Sequence, residues 1–325
     1  MGENFTLKNF SYRKNNSEQK KILNFLKKIN INEWPEFIKS YKKNYQYSYN
    51  KKLIKKYKNI KYINIIGMGG SSLGAKAIFS FLIHRIKKKI NFFENLSIKK
   101  PKQHKGLNII ISKSGNTLET VSNLNIIYNK NQKNIFITEK TNNYLRKLAG
   151  KLKSDVIEHK NFIGGRFSVL SEVGMLPAQL MGLNENKFKQ FNRLIVKKNF
   201  LNNLTNNVLG IFELVKKKKL NSVILNYDTN SEDFFKWYQQ LVSESLGKNS
   251  KGILPTISTM PKDHHSLLQL YLSGFKYNFY TFYIVNEKNS SKFNRELLLD
   301  NFRFLKSKNT FDILNAQRLA TENIF

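Results

Sequence analysis

A chain of 325 residues, 40% hydrophobic and 13% aromatic, is long enough for two domains with their own cores and too apolar to be a disordered polymer. It has no cysteine, which excludes disulfides and thiolate metal sites and agrees with a reducing compartment, so a cytoplasmic protein is expected. Lysine and arginine number 56 against 22 acidic residues, a formal charge of +34.

Nothing approaches the roughly 18 uninterrupted apolar residues of a membrane span, so no membrane association is expected. The start, Met1-Gly2-Glu3-Asn4-Phe5-Thr6, lacks the basic-then-apolar pattern of a secretory signal. Its fit to a myristoylation pattern at Gly2 and Thr6 is read as chance. The charge raises the question of nucleic acid. Lysines are spread along the whole chain, however, in Lys51-Lys52, Lys55-Lys56, Lys87-Lys88-Lys89 and Lys216-Lys217-Lys218-Lys219. Asn, Ile, Phe and Tyr are abundant too, as AT-rich codons would produce. The charge is therefore read as codon bias, with no specific nucleic-acid partner.

In chain order, residues 1 to about 60 are polar and helical in pieces, with Ile22, Phe25, Leu26 and Ile29 on one helical face. Tyr62-Ile63-Asn64-Ile65-Ile66 is a buried strand ending in glycines, and 75–86 has the spacing of a helix. The rhythm repeats: strand 107–111, turn 112–116, helix 118–128, strand 134–138, and a helix from about 142. Residues 172–183 read as a helix interrupted near Pro177, and 184–203 as a polar junction. A second round follows with strand 222–227, helix 232–246, and strands 252–257 and 279–285. Alternating strands and helices predict an α/β fold with mostly parallel sheets covered on both faces. The division expected is 1–190 and 191–325.

Gly67-Met68-Gly69-Gly70-Ser71-Ser72-Leu73-Gly74 lies between a predicted strand and a predicted helix, where backbone N–H groups and the helix dipole suit an anion. It fails the dinucleotide fingerprint, which wants glycine at Ser72, and the P-loop, which wants lysine at Ala75. A smaller phosphate is the better fit. Ser112-Lys113-Ser114-Gly115-Asn116-Thr117 is a second hydroxyl-rich turn after a parallel strand, the usual ligand end of such sheets. Thr117 or Asn116 could equally be a plain N-cap. Farther on, Glu244 lies near a helix end before Gly247, Arg166 follows Gly164-Gly165, and His265 sits in Asp263-His264-His265-Ser266. A carboxylate, a guanidinium and an imidazole are the groups that move a proton beside a carbonyl and hold the resulting oxyanion. Each alone is more ordinarily a surface glutamate, a salt-bridge arginine and a capping histidine.

Together, and in this order, these stretches resemble glucose-6-phosphate isomerase. The resemblance rests on the two turns above, on Gly164-Gly165-Arg166-Phe167-Ser168-Val169-Leu170-Ser171, on Gln240-Leu241-Val242-Ser243-Glu244-Ser245-Leu246-Gly247-Lys248 and on Asp263-His264-His265-Ser266, and runs from about Tyr62 onward. It implies two SIS-type three-layer α/β/α domains, a homodimer, and neither metal nor cofactor. It implies reversible interconversion of glucose 6-phosphate and fructose 6-phosphate through a cis-enediol. Glu244 would be the proton-shuttling base, Arg166 the enediol stabiliser and His265 the ring opener. Ser71, Ser112, Ser114 and Thr117 would hold the 6-phosphate, with Lys113 helping through its backbone or charge. Gly70, Gly165 and Gln240 would line the site. Relatives also suggest two alternatives, a dual phosphoglucose/phosphomannose isomerase and a non-catalytic SIS-domain sensor. The family pattern has glutamine where His264 stands, and a C-terminal lysine motif that finds no match before Asn323-Ile324-Phe325. A longer reading frame is the expectation.

Overall fold

The computed structural model describes residues 16–28, 35–96, 105–194, 197–287 and 290–325. Gly2, Thr6 and Ile29 lie outside these residues. The described residues form two compact units, one reaching to Asn206 and including Asp233–Leu241, the other comprising Asn207–Glu232 and Val242–Phe325.

The first unit runs through α1 (Asn16–Lys28), α2 (Lys51–Tyr57), β1 (Tyr62–Ile66), α3 (Leu73–Phe81), β2 (Lys89–Phe93), β3 (Leu107–Ile111), α4 (Leu118–Ile127), β4 (Lys133–Thr138), α5 (Tyr144–Lys151), β5 (Asp155–Glu158), α6 (Glu172–Leu180) and α7 (Glu185–Phe188). Its five strands are all parallel in the order β2-β1-β3-β4-β5. Period-two alternation sorts the strand side chains onto two faces. Ile63, Ile65, Leu107, Ile109, Ile111, Ile135 and Ile137 pack beneath α6 with Ala75, Val173 and Leu176. Ile66, Ile110 and Phe136 face Leu124, Ile127, Leu145 and Ala149 of α4 and α5. The sheet is thus covered on both sides, as the near-continuous isoleucine runs require.

On the α4/α5 face a polar row crosses four strands. The Asn91 amide donates to Asn64 (3.0 Å), Asn64 to Asn108 (2.8 Å), and Asn108 to Asn134 (2.9 Å) and Gln132 (3.0 Å). The asparagines are register partners, so a one-residue slip would break the row and turn the isoleucines over. Asn108 is fully buried, and an unmade bond there costs about 1–3 kcal/mol.

Two expectations need correction. The helix read at 75–86 is α3, which ends at Phe81 and is followed by a single turn at Ile83–Arg85. Pro177 does not interrupt its helix, which is continuous from Glu172 to Leu180. Proline removes the bond to the Val173 carbonyl, but Val173, Met175, Leu176 and Ala178 are all buried, and packing holds the backbone helical.

α8 (Lys198–Lys216) follows, and then β6 (Asn221–Asn226), α9 (Glu232–Leu246), β7 (Leu254–Thr259), α10 (Leu268–Ser273), β8 (Asn278–Tyr283) and α11 (Thr310–Ile324). The second unit's three strands are parallel in the order β7-β6-β8. Val223, Leu225, Tyr227 and Met260 form its core with Tyr280, Phe282, Leu314 and Phe325. Asn309 and Asp312 close α11 with a reciprocal capping box, worth about 1 kcal/mol.

Candidate active site

Strand order decides where a ligand can enter the first unit. From β1 the chain crosses to β2 on one side; from β3 it proceeds to β4 and β5 on the other. The crevice beyond the carboxyl ends of β1 and β3 is therefore the topological switch point. The two turns singled out in the sequence leave these two strands. A Cβ placed on Gly67 would lie 3.0 Å from the Ile111 carbonyl, so the turns are in contact.

The first turn is a single 3₁₀ turn at Gly69–Ser71 running into α3. Gly69 has φ +53°, the left-handed region, and a side chain there would meet the Gln240 amide nitrogen at 3.2 Å. Ser72 is fully buried and its hydroxyl donates to the Gly69 carbonyl, while Ser71 is half-buried. Ser72 thus shapes the turn, and Ser71 is the serine with an accessible hydroxyl. In the second turn Ser112 is buried, and its Oγ accepts from the Gly115 N–H (3.1 Å) and bonds the Thr117 hydroxyl (2.8 Å). Gly115 has φ +70°, and a Cβ there would lie 2.1 Å from the Asn143 side-chain oxygen. Ser114 is exposed and Thr117 half-buried.

Thr117 occupies the N-cap position of α4 but makes no side-chain cap bond, and Ser72 makes none for α3. Asn116, the other capping candidate, accepts from the Tyr144 N–H instead. Two helix N-termini therefore face the switch point uncapped by these side chains, which is the arrangement that binds phosphate. The Lys113 ammonium donates to the Asn161 carbonyl (2.6 Å) and lies 3.5 Å from Glu139. Its side chain is engaged, leaving its backbone as the simpler contribution.

Arg166 lies in a 3₁₀ turn at Gly165–Phe167, half-buried, with its guanidinium 5.4 Å from the Phe167 ring centroid. This turn touches the first glycine loop: a Cβ on Gly70 would lie 2.5 Å from the Gly165 backbone. Ser168 Oγ is placed 2.8 Å from both the Gly70 and the Gly165 carbonyls and links the loops. The sequence motif includes Ser168 without assigning it; its place two residues after the arginine was the available signal, and its burial appears only in the structure. Sequence reasoning also missed Glu172, 1% exposed, which accepts from the Tyr45 hydroxyl (2.9 Å) and the Ser48 N–H (2.9 Å). Burial and the Glu172 charge push the Tyr45 pKa far up. The Phe37 ring packs at a tilt against Phe167 (4.6 Å between centroids), so segment 36–48 straps the arginine turn.

In the second unit, Glu244 is exposed in the last turn of α9, ahead of the Gly247 C-cap. A Cβ on Gly247 would lie 2.5 Å from the Ser243 carbonyl, which explains that glycine. Of the adjacent histidines, His264 is held: its Nε2 lies 3.0 Å from the Tyr227 hydroxyl and 3.1 Å from Thr321. Burial and the neighbouring His265 lower its pKa. His265 is exposed, and no hydrogen bond to its ring forms among the described residues. Among the described residues no group of His, Asp and Glu is arranged to hold a metal. The structure thus gathers Gly70, Ser71, Ser112, Lys113, Ser114, Thr117, Gly165, Arg166 and Gln240 in the first unit, and Glu244 and His265 in the second.

The family model for phosphoglucose isomerase matches residues 27–261, beginning ahead of the stretch that carried the resemblance and ending short of His265. The glucose-6-phosphate isomerase of Methanocaldococcus jannaschii is 35% identical over 291 residues, covering 82% of this chain and 71% of that protein. Among solved structures, a hypothetical protein from Thermus thermophilus superposes with TM-score 0.77 at 19% identity, covering 95% of this chain and 80% of that one. A glucose-6-phosphate isomerase from Chlamydia trachomatis gives 0.56 at 21% identity, covering 80% and 56%. At such identities these two report the fold alone. The sequence matches carry the further conclusion that this chain belongs to the phosphoglucose isomerase family.

Proposed function

We propose that the chain interconverts glucose 6-phosphate and fructose 6-phosphate. The observation that carries this reading, beside family membership, is the pair of uncapped helix N-termini of α3 and α4 at the switch point. The 6-phosphate sits there on backbone N–H groups, with the hydroxyls of Ser71, Ser114 and Thr117 completing its shell. Ser112 takes part by orienting Thr117: its Oγ accepts from the Gly115 N–H and shares a hydrogen bond with the Thr117 hydroxyl. Lys113 contributes its backbone, and Gly70, Gly165 and Gln240 shape the wall.

His265, exposed beside the fixed His264, moves the proton that opens the sugar ring. Glu244 removes the C2 proton of the open aldose. The C2–H electrons form the C1=C2 bond, and the C1 carbonyl oxygen becomes an oxyanion. Arg166 stabilises that charge while a proton passes between O2 and O1. Glu244 returns its proton to C1, the O2 carbonyl forms, and the ketose closes. No net oxidation occurs, so the chemistry asks for no redox partner. The reading includes a homodimer and a cytoplasmic location, which sedimentation and fractionation test.

The test is a coupled assay of fructose 6-phosphate conversion with Glu244→Gln in parallel. Loss of general-base catalysis is worth roughly 10²–10⁴-fold in rate. A variant within a few-fold of the parent would remove Glu244 from the mechanism.

A further inference from the structure

The five parallel strands of the first unit all begin at the end opposite the proposed phosphate cradle. The turns that feed them, 58–61, 82–88, 105–106, 128–132 and 151–154, contain no acidic residue. Each contributes lysine. In sheet order, Lys87 precedes β2, Lys61 β1, Lys105 β3, Lys130 β4 and Lys153 β5, and all are exposed. The carboxyl ends differ: Glu94, Glu139 and Glu158 stand there, paired with Lys76, Lys113 and Lys160. Asp155, at the start of β5, is already taken by Lys56 (2.8 Å) and Tyr57 (2.5 Å). Codon bias explains the abundance of lysine but not why acidic partners gather at one end of the sheet and are missing from the turns at the other.

The Lys88 ammonium is turned inward onto the Lys58 carbonyl (2.7 Å), and burial and the Lys58 charge lower its pKa. The rings nearby are covered: the Lys89 ammonium lies over Tyr62 and that of Lys133 over Tyr57. The face therefore offers charge rather than a stacking platform.

We propose that this lysine row is a binding surface for the phosphodiester backbone of nucleic acid, without sequence preference. Five strands at about 4.8 Å spacing set the row at roughly 20 Å. That length matches a short stretch of duplex backbone, whose phosphates recur at about 3.4 Å per strand along the helix axis. A row suits a linear polyanion better than the two-dimensional charge of a lipid surface.

The test is fluorescence anisotropy with DNA and RNA duplexes of about 20 base pairs over a salt series, where each phosphate contact adds about 0.9 to the log–log slope. The row variant carries Lys61→Gln, Lys87→Gln, Lys105→Gln and Lys130→Gln. The control carries Lys217→Gln, Lys218→Gln, Lys306→Gln and Lys308→Gln, exposed lysines of the second unit. The row variant is expected to flatten the slope by roughly three to four and to weaken low-salt binding more than about tenfold. The control should keep most of both, and isomerase activity should be unchanged in the two variants. DNA and RNA duplexes of any sequence should bind alike. Equal losses in row and control variants would mean that only net charge matters, and would overturn the proposal. So would sequence discrimination, or tighter binding to phosphatidylserine vesicles that the row variant abolishes.

Discussion

Gly70→Ala is the sharpest perturbation of the site's geometry. The new Cβ would lie 2.5 Å from the backbone carbon, Cα and oxygen of Gly165. Ordinary contact at this kind of approach begins near 3.4 Å, so the two turns must part by about 1 Å, and both partners are backbone with no rotamer to give. Overpacking of this kind costs roughly 1–3 kcal/mol in stability. On the role proposed for Arg166, the residue after Gly165, the catalytic cost is larger, because a 1 Å misplacement at a reacting centre can cost about 10²-fold in rate. Gly165→Ala makes an instructive partner. Its Cβ would stand 3.4 Å from the Gly70 Cα, with nothing nearer, and needs no displacement. The coupled assay should therefore find kcat down by about 100-fold in Gly70→Ala and by less than about threefold in Gly165→Ala, with thermal melts confirming that both fold. Equal effects of the two substitutions would refute the reasoning, since it rests on the asymmetry of one contact.

The remaining predictions concern the phosphate turn, the sheet and pH. Thr117→Ala should raise KM for the sugar phosphate with a smaller change in kcat, whereas Ser112→Ala should also lower stability by about 0.5–1.5 kcal/mol, because the buried Gly115 N–H is left with only the Ser112 carbonyl as acceptor; steady-state kinetics and urea melts separate the two. Asn108→Leu should cost more than about 2 kcal/mol, since it strands the amides of Asn64, Asn134 and Gln132 in the sheet, and a urea midpoint unchanged from the parent would contradict the polar row. His159 is 3% exposed, and burial holds its pKa below 6.5 despite the bond to the Lys160 carbonyl. The unfolded chain therefore takes up that proton first: stability is complete above about pH 6.5 and falls as pH drops toward the folded value. Comparing urea midpoints at about pH 7.5 and about pH 5.5, His159→Gln should show a smaller loss than the parent.

Much of the first unit was legible because its strands bury both faces. β1 and β3 stand at the residues where the isoleucine runs placed them, and α9 spans the full predicted 232–246. Edge strands were not legible. β2 carries Lys89 and an alternating exposure along Lys89–Phe93, and β5 is four residues bounded by Asp155 and Glu158. Neither shows the continuous hydrophobicity that marks a buried strand, because each is paired on one side only. In the site, residue types and their placement after strands pointed to the two turns. The division of labour within them was hidden. That Ser72 and Ser112 are buried organisers, while Ser71 and Ser114 are accessible, depends on which way each turn folds. The two histidines look alike in sequence, and only the contacts of His264 with Tyr227 and Thr321, the latter far along the chain, distinguish them. The lack of acidic residues in the turns that feed the strands is likewise a property of topology, which a spread of lysines along the sequence conceals.

The measurement closest to the central claim is isomerisation of fructose 6-phosphate in D₂O, followed by NMR of the glucose 6-phosphate formed. A proton carried by the Glu244 carboxyl can exchange with solvent, so the account predicts deuterium at C2 of the product, with both conversion and exchange slowed by roughly 10²–10⁴-fold in Glu244→Gln. Product formed as readily by the variant, with as much deuterium at C2, would contradict it.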